Sequence, residues 1–592
     1  MKKFLTLFKL SLHWLILFGF VIGGFINPQK ARAAAGPCTV DYFHQGLITA
    51  NETWCGGSVF THYLTGDVTV QPGVTLTIAA GVTVDSVEAA WSKYLIVKGH
   101  LDINGTAEQP VLFTRSINYP IQNWSGLYFD GSQGDGSGVI NHAILEHAGS
   151  NFLPAGCTGT CGSGQTAIFV KDLAAGKQVS ITNSILRDNV SKGLYVVDSK
   201  VDVSNTSFSQ NKFPVLIDGA ASVVSYSGNT FSDNAFPFYD NVNYTILEDG
   251  IFINPGALMG HDFSLPAQTG LDAYYFMTGT TVPAGRTMTL DPGVTLRADW
   301  GAYLSILGHL TAVGTPTLPI RFTGITGSTE GVTHNWGGLY FDGEGGDGSG
   351  IIQHASIDHA GNNSLPPGCS GDCGSAQTAL FVKNLPATKQ VILANSIIED
   401  SLSKGLYIIN SPTVLVNNNL IKGGRVGAFL GSDLTISNLA FIDQALDGVV
   451  IPAGVTVEGR HLTIARAGQS GFHVQTGGTG LLKNSILSQN ALAVWAEGSG
   501  QASLNINLLD ANTSFKTGMV TEVDSFHGVA AFTADGYHIL NNSDAVGRGL
   551  AGLSAVDIDG EARPSPANSR PDLGADELPV GRWWVLLPFT HR

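Results

Sequence analysis

Hydrophobic residues along this chain fall into short runs of Val, Ile, Leu, Thr and Phe, separated by clusters of Gly, Asn, Asp and Pro; long amphipathic helical patterns are nearly absent. Such punctuation predicts many short strands joined by turns. The runs also repeat. Asn189, Asn211 and Asn234 close the segments NSILRDN, NTSFSQN and GNTFSDN at intervals of 22 and 23 residues, and Asn490 and Asn512 are again 22 apart. In register inside these segments stand Leu186, Phe208 and Phe231, then Ile398 with Leu420, then Leu487 with Leu509. Strand side chains alternate, so each set is expected to stack into an inward column. The asparagines are expected at the turns, in left-handed backbone and laddered with the coils above and below. A coil of 22 to 23 residues repeated in this way predicts a solenoid.

A second repeat has a period of 212. Asn123–Gly149 matches Asn335–Gly361 at 19 of 27 positions without a gap. The same offset carries Cys157 to Cys369, Gln165 to Gln377, Asn183 to Asn395 and Tyr195 to Tyr407. Between these anchors VKGHLDINGT pairs with LGHLTAVGT at an offset of 209, as a tolerated turn insertion would produce. A weaker third copy starts near Val449 and lacks both the Gly-Asp loop and the cysteines.

The coil pattern resembles the parallel β-helix repeat family. The run from QPGVTLTI through GHL and PI.FT to W.GLYF resembles a module of bacterial exported right-handed β-helix proteins. The resemblance covers roughly residues 68–540 and implies an all-β fold, a single-stranded right-handed parallel β-helix (solenoid) with internal duplication. At 22 to 25 residues per coil it implies on the order of 20 coils and a rod of roughly 100 Å. The expected organisation is a signal peptide (1–35), an N-terminal cap (36–67), module copy one (68–280), copy two (281–446), a degenerate third copy (447–540), a C-terminal cap (541–578) and an apolar tail (579–592). In the C-terminal cap Arg563 or Arg570 is expected to pair with Asp572 or Asp576.

The N-terminus changes the compartment. Lys2 and Lys3, an apolar stretch reaching Ile26, and a small-residue site after Ala33 or Ala35 predict export, to the extracellular space or the cell surface; an uncleaved membrane anchor is the rival reading. The tail is too short to span a bilayer, so no membrane span is expected after cleavage. Losing residues 1–35 removes five of the 31 basic residues and leaves 26 against 47 acidic, a net charge of −21. Nucleic acid and anionic lipid are poor partners for such a surface. A polysaccharide or another cell-surface ligand fits better. In an exported chain the six cysteines read as three local disulfides, Cys38–Cys55, Cys157–Cys161 and Cys369–Cys373.

Candidate chemistry is sparse. The run Ile357-Asp358-His359 resembles one found in pectate lyases of this fold. The internal copies weigh against it, because Asp358 becomes Glu146 and then Ala465, and His359 becomes His147 and then Arg466. The Asn-Thr-Asp, Asp-Asp and Gly-His-Gly motifs of polygalacturonases are missing. Glu146, His147, Asp358 and His359 remain the candidate catalytic residues, although neighbours on a strand point to opposite faces. His142, His354 and His461 recur in all three copies, as structural residues would. Asp130 and Asp135, and likewise Asp342 and Asp347, stand five residues apart in Gly-rich loops as candidate Ca²⁺ ligands, the one cofactor considered; ordinary polar turns explain them equally. The loops holding Cys157 with Cys161 and Cys369 with Cys373 are the candidate binding loops, rigid and in equivalent places. The function expected is carbohydrate binding or adhesion, with polysaccharide cleavage or an envelope structural role as alternatives.

Overall fold

The computed structural model describes residues 38–579 apart from 40, 57–60, 87–92, 117–122, 150–164, 235, 239–243, 247, 255–260, 326–332, 363–365 and 367–376. The proposed signal peptide, most of the tail and the two Cys-x3-Cys loops lie outside the described residues. Among those described, helix is confined to two short 3-10 turns, Gly131–Gln133 and Gly343–Gly345. None is long and apolar enough to cross a membrane.

Each coil contributes three strands, and successive coils pair in parallel. In the first copy the three stacks start with Thr75–Ala79, Thr83–Ser86 and Tyr94–Val97. Nineteen strands, from Phe43–Ile48 to Phe526–His527, follow one another in an unbroken parallel ladder. At about 4.8 Å per step the ladder is roughly 85 Å long. One continuous apolar core fills the coils from Ile48 to Leu509. Cys38 and Cys55 form the expected disulfide at the first coil, with Cα atoms 5.6 Å apart.

Two of the three register sets hold. Leu186, Phe208 and Phe231 stand opposite one another and are buried, as do Leu487 and Leu509. The third is corrected: Ile398 pairs with Ile421, and Leu420 pairs with the outward Ile397. The coil there is 23 residues long, and a slip of one residue moves a side chain to the opposite face. The asparagine ladders form, with Asn189 Nδ2 donating to Asn211 Oδ1 at 2.8 Å and Asn211 Nδ2 to Asn234 Oδ1 at 3.1 Å. The left-handed residue is the preceding one, Asp188, Gln210 or Asp233, with φ of 54°, 54° and 56°. A second outer ladder of left-handed asparagines, Asn183 with Asn205 and Asn418 with Asn438, marks the corner between the first and second stacks.

The 212-residue duplication is not a translation along the rod. Ala273–Phe276 continues the third stack of copy one, yet it pairs with Thr295–Ala298, whose sequence counterpart Thr83–Ser86 begins the second stack. Copy two is therefore turned by one face about the axis. Matching residues of the two copies face different sides.

After the last coil the chain runs back along the flank. Asn438 Nδ2 donates to the Val556 carbonyl at 2.8 Å, Asn484 Nδ2 to that of Leu550 at 2.9 Å, and Thr463 Oγ1 accepts from Ala575 N at 2.9 Å. Ile558 and Ala575 pack on Ala440 and Ile442. Arg563 anchors this strap. Its carboxylate partner is Glu577, at 3.5 Å, in place of the expected Asp572 or Asp576.

Candidate functional site

The four candidate catalytic residues stand where second-stack strands end, Ala143–Glu146 and Ala355–Asp358. His147 and His359 take left-handed φ of 54° and 50°, as Arg466 does with 59° in the third copy. That break in the strand overturns the expected divergence of neighbours: His359 Nδ1 lies 2.8 Å from Asp358 Oδ1. Asp358 also accepts from Arg321 Nε at 3.0 Å and from the Thr323 hydroxyl. Trp336 Nε1 donates to the Asp358 carbonyl at 3.0 Å and fixes the strand end.

The two copies differ in charge at this point. In copy one Glu146 accepts from Arg187 at 2.9 and 2.7 Å and from Thr114 Oγ1 at 3.0 Å, a closed ion pair. On the next strand copy two has Glu399 where copy one has Arg187. Burial, and then the charges of Asp400 and Asp358, push the Glu399 carboxyl above the usual range. A carboxyl raised in the folded state costs stability once pH exceeds its unfolded value. Glu399→Gln is therefore expected to raise the melting temperature at pH 8 and leave it unchanged at pH 3; a lower melting temperature at pH 8 would contradict this. Asp358 itself is only 2% exposed, beneath the reach of a polymer.

His142, His354 and His461 occupy the corner between the first and second stacks with φ of 50°, 47° and 51°. His, like Asn and Asp, is enriched in left-handed backbone. His461 is fully buried against Asn484 and Arg563.

Each Gly-Asp loop is a 3-10 turn capped by Asp130 or Asp342, which accepts from the backbone N–H of Ser132 at 3.1 Å or Glu344 at 3.0 Å. Asp135 and Asp347 accept from the hydroxyls of Ser137 and Ser349 at 2.7 and 2.6 Å. Every one of the four carboxylates has a lysine within 3.8 Å: Lys98, Lys177, Lys383 and Lys389. A Ca²⁺ ion in either loop competes with those ammonium groups. The one group of three metal-type side chains that converges among the described residues is elsewhere, in the strap: His538, Asp559 and Asp576. There His538 bridges Asp535 and Asp559 at 2.5 and 2.7 Å. Burial opposes its charge, but these hydrogen bonds prevail and push its pKa up to about 10.

Sequence reasoning missed the outward face of the third stack. In copy two the outward positions run in register through Ser305, Tyr340, Phe381, Tyr407, Phe429, Val450, His473 and Trp495, one per coil. Phe381 and Tyr407 stack at 4.7 Å, and His473 and Trp495 at 4.1 Å. Phe429 and Trp495 are partly exposed. Acidic groups flank the far end, with Asp447 3.4 Å and Glu497 3.5 Å from the His473 nitrogens. The corresponding track of copy one, Ile96, Tyr128, Phe169 and Tyr195, is buried in an apolar cluster, as Tyr340, Phe381 and Tyr407 are in theirs, so in copy two the exposed rings of the track are Phe429 and Trp495. The available signal was the runs GLYF, ALFV and GLYII, which are apolar without alternation and so predict that both faces are apolar.

Stacked parallel strands wound through three faces define a parallel β-helix. Residues 46–153 match the family model of the pectate-lyase-like β-helix domain, and the same parallel stacking continues to Phe526–His527. The protein is thus a parallel β-helix, and within it residues 46–153 are similar to the pectate-lyase-like β-helix domain. No curated protein matches the chain.

Proposed function

We propose that the protein binds neutral polysaccharide outside the cell, along the outward aromatic track of the third stack in its second half. The supporting observation is the line Tyr407, Phe429, Val450, His473 and Trp495, one position per coil along the rod axis, of which the rings of Phe429 and Trp495 are partly exposed. Aromatic faces offer an apolar surface of the kind the C–H face of a sugar ring covers, and the exposed carboxylate of Glu497 beside Trp495 supplies an acceptor for hydroxyl groups. An extended polymer lying along the rod meets Phe429 and Trp495, which stand three coils apart on one line. The formal charge of −16 favours a neutral polymer over an anionic one. The disulfide between Cys38 and Cys55 fits an oxidising compartment.

Cleavage is the second reading, favoured by the contact of His359 with Asp358 and by Glu399 beside them. One experiment separates the two. Purified protein is incubated with plant, algal and bacterial polysaccharides, and both retention and new reducing or unsaturated ends are measured. Retention without new ends is expected; new ends would establish cleavage, and neither retention nor new ends would remove both readings.

A further inference from the structure

We propose that a cavity at the start of this track, in copy two, is a subsite for a single neutral sugar residue. The inference rests on the polysaccharide-binding reading and adds to it a place and a chemical class. The cavity measures about 140 Å³, and its walls include Thr281, Ser305, Leu307, Tyr340, Phe381 and Lys383. Sites for drug-sized ligands span roughly 300–1,000 Å³, so this one has room for one ring.

Its lining is mixed in the way a sugar requires. Tyr340 and Phe381 meet edge to face, with centroids 6.0 Å apart, and give an apolar floor. The hydroxyls of Thr281 and Ser305 and the carboxylate of Asp342 supply polar groups around it. Lys383 Nζ is held at 3.0 Å by Asp342 and at 2.9 Å by Glu344. One ammonium against two carboxylates leaves the rim net negative, which disfavours uronic acids and sulfated sugars.

The first copy provides an internal comparison. It keeps the counterparts Thr69, Tyr128, Asp130, Phe169 and Lys171, but Ile96 and Lys98 stand where copy two has Ser305 and Leu307. Ile96 is 4% exposed and packs into the apolar cluster with Tyr128 and Phe169, and Lys98 reaches Asp130 at 3.8 Å. Exchanging an isoleucine for a serine at this register removes apolar bulk and adds a hydroxyl. Two substitutions thus distinguish a bulkier, apolar position in copy one from a smaller, hydroxyl-bearing one beside the cavity in copy two.

The test uses the full-length protein and saturation-transfer NMR, with D-glucose, D-galactose, D-mannose and D-xylose as probes and D-glucuronate as the charged control. At least one neutral sugar is expected to receive saturation, and D-glucuronate to receive less. Ser305→Ile with Leu307→Lys installs residues that the first copy already carries in this fold, and is expected to cut the signal at least tenfold. Ser305→Ile alone is the second variant if the pair fails to fold, with the same expectation. No saturation of any neutral sugar, equal or stronger transfer to D-glucuronate, or an unchanged signal in the folded variant would overturn the proposal. Polysaccharide retention is measured separately on the same preparations. Retention with an inert cavity removes the subsite alone, whereas loss of retention removes the reading on which it rests.

Discussion

Phe429→Ala combined with Trp495→Ala is expected to weaken polysaccharide retention at least tenfold and to leave the melting curve of the rod unchanged. Both rings point outward, are partly exposed, and stand on the same line separated by Val450 and His473. Neither belongs to the continuous core, whose inward neighbours on the same strands are Leu430 and Val494. An aromatic contact of this type contributes about 0.5–1.5 kcal/mol beyond the area it covers. Two of them lost together amount to about 1–3 kcal/mol before the lost apolar area is added, against the 1.4 kcal/mol that makes a factor of ten. Retention on immobilised polysaccharide and a melting curve on the same sample read the two effects apart. Unchanged retention would remove the track from the account.

The second large effect is structural. Arg563→Leu is expected to cost about 3–5 kcal/mol locally, the usual penalty for removing one partner from a buried ion pair. The Arg563 guanidinium is fully buried, donates to the carbonyls of Gly574 at 2.9 Å and Ala575 at 2.8 Å, and lies 3.5 Å from Glu577. Glu577 in turn accepts from Ser565 N and Asp572 N at 2.7 and 2.8 Å. Without the cation a fully buried carboxylate remains, and the strap loses the group that ties its two ends together. Arg563→Lys keeps the charge but not the planar fork of donors, so it is expected to recover only part of the loss. Solenoids unfold segment by segment, so the measurement is local. Amide exchange at Leu573, Gly574 and Ala575 is expected to accelerate by two to three orders of magnitude at neutral pH. Exchange unchanged within a factor of three would show that the strap is held by its apolar contacts.

Legibility in the sequence followed the physics of each feature. The coil period was readable because a parallel stack repeats its inward side chains once per turn, and Leu186, Phe208 and Phe231 obey it. It failed at Ile398 because a coil of 23 replaced one of 22 at that point, which the asparagine spacing of the other segments does not report. The duplication was plain in the letters, but its rotation was not. Sequence identity fixes which residues correspond, while the winding angle depends on how many residues each turn and excursion absorbs. For that reason Glu146 and Asp358, matched at 212, belong to different sides of the rod.

At the candidate site the outcome was divided. Histidines recurring in three copies were readable as structural positions, and their left-handed φ supplies the reason. The approach of His359 to Asp358 was hidden, since it requires that same backbone break. Glu399 was hidden because its counterpart Arg187 carries the opposite charge, so the internal comparison concealed it. The outward track was hidden by its own composition, because an apolar run without alternation does not tell its inward face from its outward one.

Photo-crosslinking tests the central claim most directly. An oligosaccharide of the retained polymer, bearing a diazirine, is irradiated with the protein and the adducts are mapped by mass spectrometry. Adducts are expected on the strands Val426–Gly431 and Leu492–Ala496, which carry Phe429 and Trp495. Adducts gathered around Asp358 and His359, or none above background along the third stack, would contradict it.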